Sequence, residues 1–489
     1  MSSLLDKSQT SNLKSQTSTI CALATAPGGA LGIIRISGPQ TLEILSRIFS
    51  KDLTNAQPNT IHYGHIVEKK SNPQPQPQTS NLQPQTSNLQ PQTSNLIDEV
   101  LVSVFRAPHS YTGEESAEIS CHGSRYILNK VLALLIENGC RQAGPGEFTQ
   151  RAYLNGKMDL SQAEAVADLI ASSNKATHQI AMSQLRGHFS SQLAQLREQL
   201  LKLTSLLELE LDFSDHEDLE FADRNELQEL IKTIDNHITR LALSFETGQA
   251  LKQGIPVAIA GKTNVGKSTL LNALLKDDRA IVSDIHGTTR DTIEDTIDIR
   301  GITFRFIDTA GIRQTTDAIE QIGINRTYAA IEKARIVLWL IDAKPSEEEI
   351  KDMHERCKDK SLVIIQNKID KTREDINSSL STSQAPLLKI SAKYNQGIDD
   401  LEQAIYQAAN IHSLQQDDVI VTNARHYDAL TRAHEHILRV IDGLQLQLSG
   451  DLLSEDLHQT LDALAEITGG QITPNEVLGN IFKNFCVGK

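Results

Sequence analysis

The chain has 489 residues, too many for one hydrophobic core, so two to four domains are expected. Its 47 basic and 62 acidic side chains give a formal charge of -15, a poor footprint for a protein living mainly on nucleic-acid phosphates, while RNA held through a local patch or a partner stays open. Five scattered cysteines with no CxxC pair argue against a disulfide framework or zinc site and for a reducing cytoplasm, and without an apolar run of about 18 residues or a signal-peptide pattern no membrane association is expected.

In chain order, residues 1–18 read as a disordered tail carrying SQTSNLKSQTS, and 19–155 as an α/β domain. From Pro77 a seven-residue unit, PQTSNLQ, repeats through Leu96. One Leu per unit cannot form a coiled-coil seam, and a proline in a helix interior costs about 3 kcal/mol. Residues 71–96 are therefore read as a flexible insert without a function of its own, between two strand-like flanks, "IHYGHIVEKK" and "IDEVLVSVFRAP".

From about Ser190 the pattern turns helical. Leu193, Leu196, Leu200, Leu203 and Leu207 step by three and four, as do Leu227, Leu230, Ile234, Ile238 and Leu241. Two further runs, Leu430, Ile437, Ile441, Leu444 and Leu448, then Leu457, Leu461 and Leu464, lie far downstream. Between them "IPVAIAG", "TFRFIDTAG", "RIVLWLID", "SLVIIQNK" and "LLKISAK" read as buried strands of a parallel sheet. The expected organisation is a helical domain (156–251 and 413–489) split by an inserted doubly wound, Ras-like P-loop domain (252–412).

That insert carries the strongest chemical signal, the stretch Gly261 to Ser268, which matches GxxxxGK[ST] after a strand and before a helix. Its N–H groups, from Asn264, Val265, Gly266, Lys267, Ser268 and Thr269, would cradle phosphates, with Lys267 on the β- and γ-phosphates and Ser268 on Mg²⁺. "DIHGTTRD" follows, with Ser283, Asp284, Ile285, His286, Gly287 and Thr288 as a switch loop and Thr289 as a second Mg²⁺ ligand. In "DTAG", Asp308 would hold the metal's water shell, Thr309 and Ala310 would line the turn, and the Gly311 N–H would sense the γ-phosphate. Asn367, Lys368 and Asp370 of "NKID" suit guanine, whose N1–H and N2–H match one carboxylate; Ser391, Ala392 and Lys393 of "SAK" offer an N–H to its O6. All these motifs in order, at strand ends, point to a GTPase. Many such enzymes place a water-orienting Gln after the DTAG glycine. Here Ile312 stands there and can do nothing of the kind.

Three further stretches, "LGIIRISGP", "GPGEFTQRAYLNGKMDLSQAEAVADLI" and the terminal "GNIFKNFCVGK", with the GTPase insert in a helical domain, resemble the MnmE (TrmE) family of tRNA-modifying GTPases. The resemblance spans nearly the whole chain outside the tail and the repeat. It implies an N-terminal domain that binds a tetrahydrofolate one-carbon donor, 5-formyl or methylene, and forms a homodimer. It further implies a flavoprotein partner, MnmG (GidA), bringing FAD and NADH, and tRNA whose wobble uridine is modified at C5. Folate-binding positions matched by motif are Arg35, Glu118, Lys157 and Lys489; each has a plain reading as a surface or strand-end charge. Asn264 matches a potassium-coordinating position, with loop residues Ser283, Ile285 and Thr288 completing the K⁺ shell, and Glu320 matches the family's catalytic acid that orients water indirectly. Cys486 stands open between a nucleophile and a small buried hydrophobe. The capping box Thr473-Pro474-Asn475-Glu476 would start the last helix, and Lys262-Thr263 stand where the family often has a Pro before the Asn. A ribosome-assembly GTPase of the Era or Der kind, or a GTP-dependent scaffold, are the competing readings.

Overall fold

The computed structural model describes residues 18–68, 95–212, 224–277, 295–307, 320–371, 387–411, 419–446, 448–470, 478, 481–483 and 485–488. The chain divides into two compact units, residues 1–167 with 468–489, and residues 168–467.

In the first unit, β1 (Ile20–Leu23), β2 (Leu31–Ser37), β3 (Thr60–Glu68), β4 (Asn95–Phe105), β5 (Ser116–His122) and β6 (Arg141–Gln142) form one sheet in the order β3-β4-β5-β2-β1-β6. Every pairing is antiparallel except β1 with β6. The two flanks of the repeat are strands, as expected, and they pair with each other; β4 also takes in Asn95 and Leu96, the last two residues of the expected insert. Alternation along β5 buries Ala117, Ile119 and Cys121 on one face and leaves Glu118 and Ser120 partly open on the other. Helices α1 (Thr41–Ile48) and α2 (Arg125–Glu137) pack on the buried face. Gly32 lets α2 approach closely, since a Cβ would stand 2.6 Å from the Leu128 side chain and force it to shift. Two shorter helices, α3 (Glu147–Leu154) and the first part of α4 (Leu160–Ala171), complete this unit, where Leu160 and Ala163 meet Leu478 and Phe482.

The second unit holds two cores. One is a helical bundle of α6 (His188–Asp212), α7 (Arg224–Gln253), α12 (Ala424–Gln445) and α13 (Gly450–Thr468), with α5 (Lys175–Leu185) beside α6. The leucine runs behave as their spacing demands: Leu193, Leu196, Leu200, Leu203 and Leu207 are all buried. Two positions differ. Ile231, not Leu230, carries the fully buried position of α7, a one-residue shift in the apolar stripe. Leu448 is exposed because α12 ends at Gln445, so the periodicity runs on past the helix.

The other core is a six-stranded sheet ordered β12-β11-β10-β7-β9-β8, from β7 (Ile255–Ala260), β8 (Asp295–Ile299), β9 (Ile302–Phe306), β10 (Ile336–Ile341), β11 (Ser361–Gln366) and β12 (Leu387–Lys389). Only the edge pair β8–β9 is antiparallel. Helices α8 (Lys267–Asp277), α9 (Glu320–Lys333), α10 (Glu347–Arg356) and α11 (Ile398–Ala408) alternate with the strands. Its five parallel strands are those expected between the two halves of the helical pattern, the antiparallel β8 is not among those expected, and Phe304, Leu338 and Ile365 are fully buried. All five cysteines are free, four buried and Cys486 exposed. Among the described residues no helix is long and apolar enough to cross a membrane.

Ile437 of α12 has no exposed surface and packs in the bundle core. Ile437→Ala removes those contacts and leaves a cavity, so it lowers stability by about 2–5 kcal/mol, read as a drop in the urea midpoint of the second unit.

Candidate functional site

Those site residues singled out from the sequence that are described lie in two places, one in each unit. In the second unit the phosphate-binding motif links β7 to α8, at the C-terminal end of the sheet where open α/β folds bind ligands. Three loop residues take left-handed backbone: Gly261 (φ 144°), Asn264 (φ 64°) and Gly266 (φ 103°). Left-handed positions of this kind are what phosphate-binding turns use to face backbone N–H groups towards an anion. Lys267 Nζ lies across the turn, donating to the carbonyls of Gly261 (2.6 Å) and Lys262 (2.9 Å). Burial pushes this ammonium below the usual lysine range, a cost that an anion in the loop would relieve. Val265 is buried, while Asn264 and Thr269 are exposed.

Asn367 joins this loop to the motifs that follow β11 and β12. Its Nδ2 donates to the Val265 carbonyl (2.8 Å), and its Oδ1 accepts from the Ala392 N–H (3.1 Å). Asn367 is 3% exposed, and a Cβ on Gly266 would lie 2.3 Å from its Nδ2. Only glycine therefore fits where the asparagine presses on the loop. Ser391 Oγ donates to Asp370 Oδ1 (2.7 Å), fixing the carboxylate that suits guanine. Lys368 reaches Asp342 at the end of β10 (2.8 Å), and the Lys393 ammonium stands 5.2 Å from the Tyr394 ring centre. The Ala392 N–H is already engaged by Asn367, so a guanine O6 meeting this segment must share it or use a neighbouring donor. The predicted switch residues Ser283 to Thr289, Asp308 to Gly311, Ile312 and the Glu320 side chain lie outside the described residues; Glu320 is placed only as the first residue of α9.

In the first unit Arg35 of β2 and Glu118 of β5 are register partners, and their side chains pair, with Nε and Nη2 at 2.9 and 2.8 Å from one carboxylate oxygen. Arg35 Nη1 also donates to the Gly488 carbonyl (3.1 Å), and its guanidinium stands 5.4 Å from the Tyr111 ring centre and 5.7 Å from that of Phe148. The C-terminal segment is held against this unit at several points. Val487 bridges to Pro145, the Gly146 N–H donates to the Cys486 carbonyl (3.3 Å), and Gly488 (φ 97°) lies so close that a Cβ would stand 2.1 Å from the Leu23 oxygen. Lys157 Nζ donates to the Pro108 carbonyl (3.0 Å), in the loop that carries Tyr111. Arg35, Glu118 and the C-terminus thus meet, and Lys157 borders the same loop; Lys489 and the Thr473–Glu476 capping box lie outside the described residues.

Beside this pair runs a network that sequence motifs did not single out. Buried Arg151 donates to Glu114 (3.0 Å) and Glu147 (3.1 Å), and Glu114 accepts from Ser37 Oγ (2.7 Å). Burial alone would raise the Glu147 carboxyl, but the bonds from Arg141 and the Gly144 N–H hold it below the usual range. Tyr111 and Phe148 were also missed. The one available signal was their place inside segments, "HSYTGEE" and "GPGEFTQR", already rich in charged residues.

The family model described as the MnmE helical domain matches residues 160–486, and that of the GTP-binding protein TrmE N-terminus matches residues 19–157. The tRNA modification GTPase MnmE of Phocaeicola vulgatus is 56% identical over 493 residues, covering 96% of this chain and 99% of that protein. Those of Bacteroides thetaiotaomicron and Parabacteroides distasonis are 52% and 51% identical over 487 residues, each covering 96% of this chain and 99% and 100% of their own length.

Asn367→Ala leaves the buried Val265 carbonyl without its donor, a loss of about 1–3 kcal/mol. GDP affinity is expected to fall by about tenfold or more, measured by calorimetric titration, while the chain keeps its circular dichroism spectrum.

Proposed function

The chain belongs to the MnmE family of tRNA modification GTPases and is a GTP hydrolase, and from that premise we propose that it is potassium-activated and works with the flavoprotein MnmG. Together they would install a carboxymethylaminomethyl group at C5 of the wobble uridine of tRNA, in the cytoplasm, with a tetrahydrofolate derivative as one-carbon donor and FAD and NADH brought by the partner. The observation that carries the reading is the meeting of Arg35, Glu118 and the C-terminal Gly488 against Tyr111 and Phe148. A cation, a carboxylate and the exposed Tyr111 ring, backed by buried Phe148, suit a ligand with N–H donors, a flat ring and carboxylates, which folate has. Because Glu118 is already paired, an entering pterin shares its carboxylate with Arg35. Lys157 and Lys489 would add charge for the glutamate tail. A ribosome-assembly GTPase has no use for this second site.

In the GTPase part, Lys267 would leave its two loop carbonyls for the phosphates, and Ser268 and Thr289 would hold Mg²⁺. Asn264, in the left-handed region within the loop, would offer its side chain to K⁺, with carbonyls of Ser283, Ile285 and Thr288 completing the shell. Its charge would stand in for an arginine finger. Glu320, opening α9, would orient the attacking water, which removes the need for a Gln at Ile312. Asp308, Thr309, Ala310 and Gly311 would sense the γ-phosphate.

Deletion of the gene should remove C5-modified wobble uridines from tRNA hydrolysates; an unchanged nucleoside profile sinks the proposal. On the GTPase side, turnover in KCl should exceed that in NaCl, and Glu320→Ala should slow hydrolysis about a hundredfold or more with GTP affinity nearly unchanged. Equal rates in the two salts, or normal turnover in the variant, would return the catalytic charge or the acid to some other residue.

A further inference from the structure

Lys262, the second residue of the phosphate loop, has no role in the chemistry above, yet it is tied on both sides. Its main-chain carbonyl takes the Lys267 ammonium (2.9 Å), and its own ammonium reaches Glu349 Oε1 (2.7 Å). Glu349 is the third residue of α10, and its position is set before Lys262 arrives. Its Oε2 accepts from the Ser346 N–H (3.0 Å) while Ser346 Oγ accepts from the Glu349 N–H (3.2 Å), a complete capping box. An ordinary surface pair must order two long side chains at once, which cancels most of its Coulomb gain. Here one partner is ordered by the helix start.

The segment that supplies Glu349 also supplies Asp342, which holds Lys368 of the guanine motif (2.8 Å). The chain from the end of β10 into α10 therefore grips the phosphate end of the site through Lys262 and the base end through Lys368. The loop between Gly261 and Gly266 cannot stabilise itself, since its N–H groups must stay open for phosphate. Besides the Lys267 bonds to its first two carbonyls, the loop is tied from outside by Asn367 at the Val265 carbonyl near its far end and by the Lys262–Glu349 pair at its near end.

We infer that Lys262 is a positioning residue for GTP and GDP, and that Glu349 holds it so that the phosphate loop keeps its open, anion-ready shape between turnovers. It does not touch the phosphates; it sets how readily they leave. Breaking the pair would loosen the loop's near end, speed nucleotide release and raise KM, while the chemical step changes little, because the Lys262 side chain bonds to none of the groups proposed to carry it and its carbonyl still accepts from Lys267. Lys262 is 70% exposed along its side chain, so the pair is screened by salt and its effect is modest.

The test is stopped-flow release of a fluorescent GDP analogue from the full-length protein. The set comprises Lys262→Met, Glu349→Gln, the double variant and the charge swap Lys262→Glu with Glu349→Lys. Gln at the third helix position keeps the capping box, so Glu349→Gln removes the charge and spares the fold. Each single variant should release GDP about two- to fivefold faster, with KM for GTP raised in step and kcat within about twofold. The double variant should be no faster than the singles, the swap should return towards the parent rate, and the differences should shrink in high salt. Release rates equal to the parent, single effects that multiply in the double variant, or a fall in kcat at unchanged KM would each overturn the inference.

Discussion

A phosphate-binding turn has to keep its N–H groups empty, and that constraint shapes the whole second unit. A loop that hydrogen-bonded itself would be rigid but could not bind anything, so its shape must be imposed from outside. Asn367 does most of this. Buried and bonded to both the Val265 carbonyl and the Ala392 N–H, it makes the β7, β11 and β12 ends of the sheet into one surface. Gly266 must then be glycine, because the asparagine occupies the space a Cβ would take. The parallel strands β7, β10 and β11, buried on both faces, supply the rigid base from which these loop residues project.

The first unit meets a similar need by a different route. Its sheet is mostly antiparallel with α1 and α2 on one face, and the other face, where Phe148 of α3 covers β1, carries the partly exposed Arg35 and Glu118. A cross-strand pair in register is self-satisfied, and partial exposure keeps its desolvation cost low. The C-terminal segment then lies against β1's end and the start of α3, so residues more than four hundred apart in sequence share one site. Gly488 permits that approach through its backbone, and the exposed Cys486 two residues earlier sits at the same edge with its carbonyl, rather than its thiol, making the contact. The exposed thiol does not fit the alternative of a small buried hydrophobe.

Helix and strand assignments were legible wherever one period governed a long segment. The leucines of α6 and α12 repeat at helical spacing because each helix buries a single stripe, and the buried strands of the second sheet read as continuous apolar runs. The reading slipped where pattern outran structure: Leu448 continues the spacing after the backbone has turned, and Ile231 replaces Leu230 by a neighbour's difference in packing. Residues of the candidate sites were legible when a short motif carried them. Tyr111, Phe148, Glu114 and Arg151 were not, since their meeting depends on tertiary approach across separate elements. Glu349 illustrates the same limit. "PSEEEI" announces a helix start and says nothing of the lysine 87 positions earlier that it meets.

Lys267 shows why such a site can bind tightly and still release. Its ammonium donates to two main-chain carbonyls while burial disfavours its charge. Phosphate binding therefore exchanges neutral acceptors for charged ones, and the net gain is the difference between the two sets of bonds. The carbonyls of Gly261 and Lys262 lose their donor at the same moment, so the loop becomes less self-held as the ligand becomes more strongly held. The ties to Asn367 and Glu349 come from outside the turn, so that exchange leaves them in place and the turn keeps two holds that do not depend on Lys267.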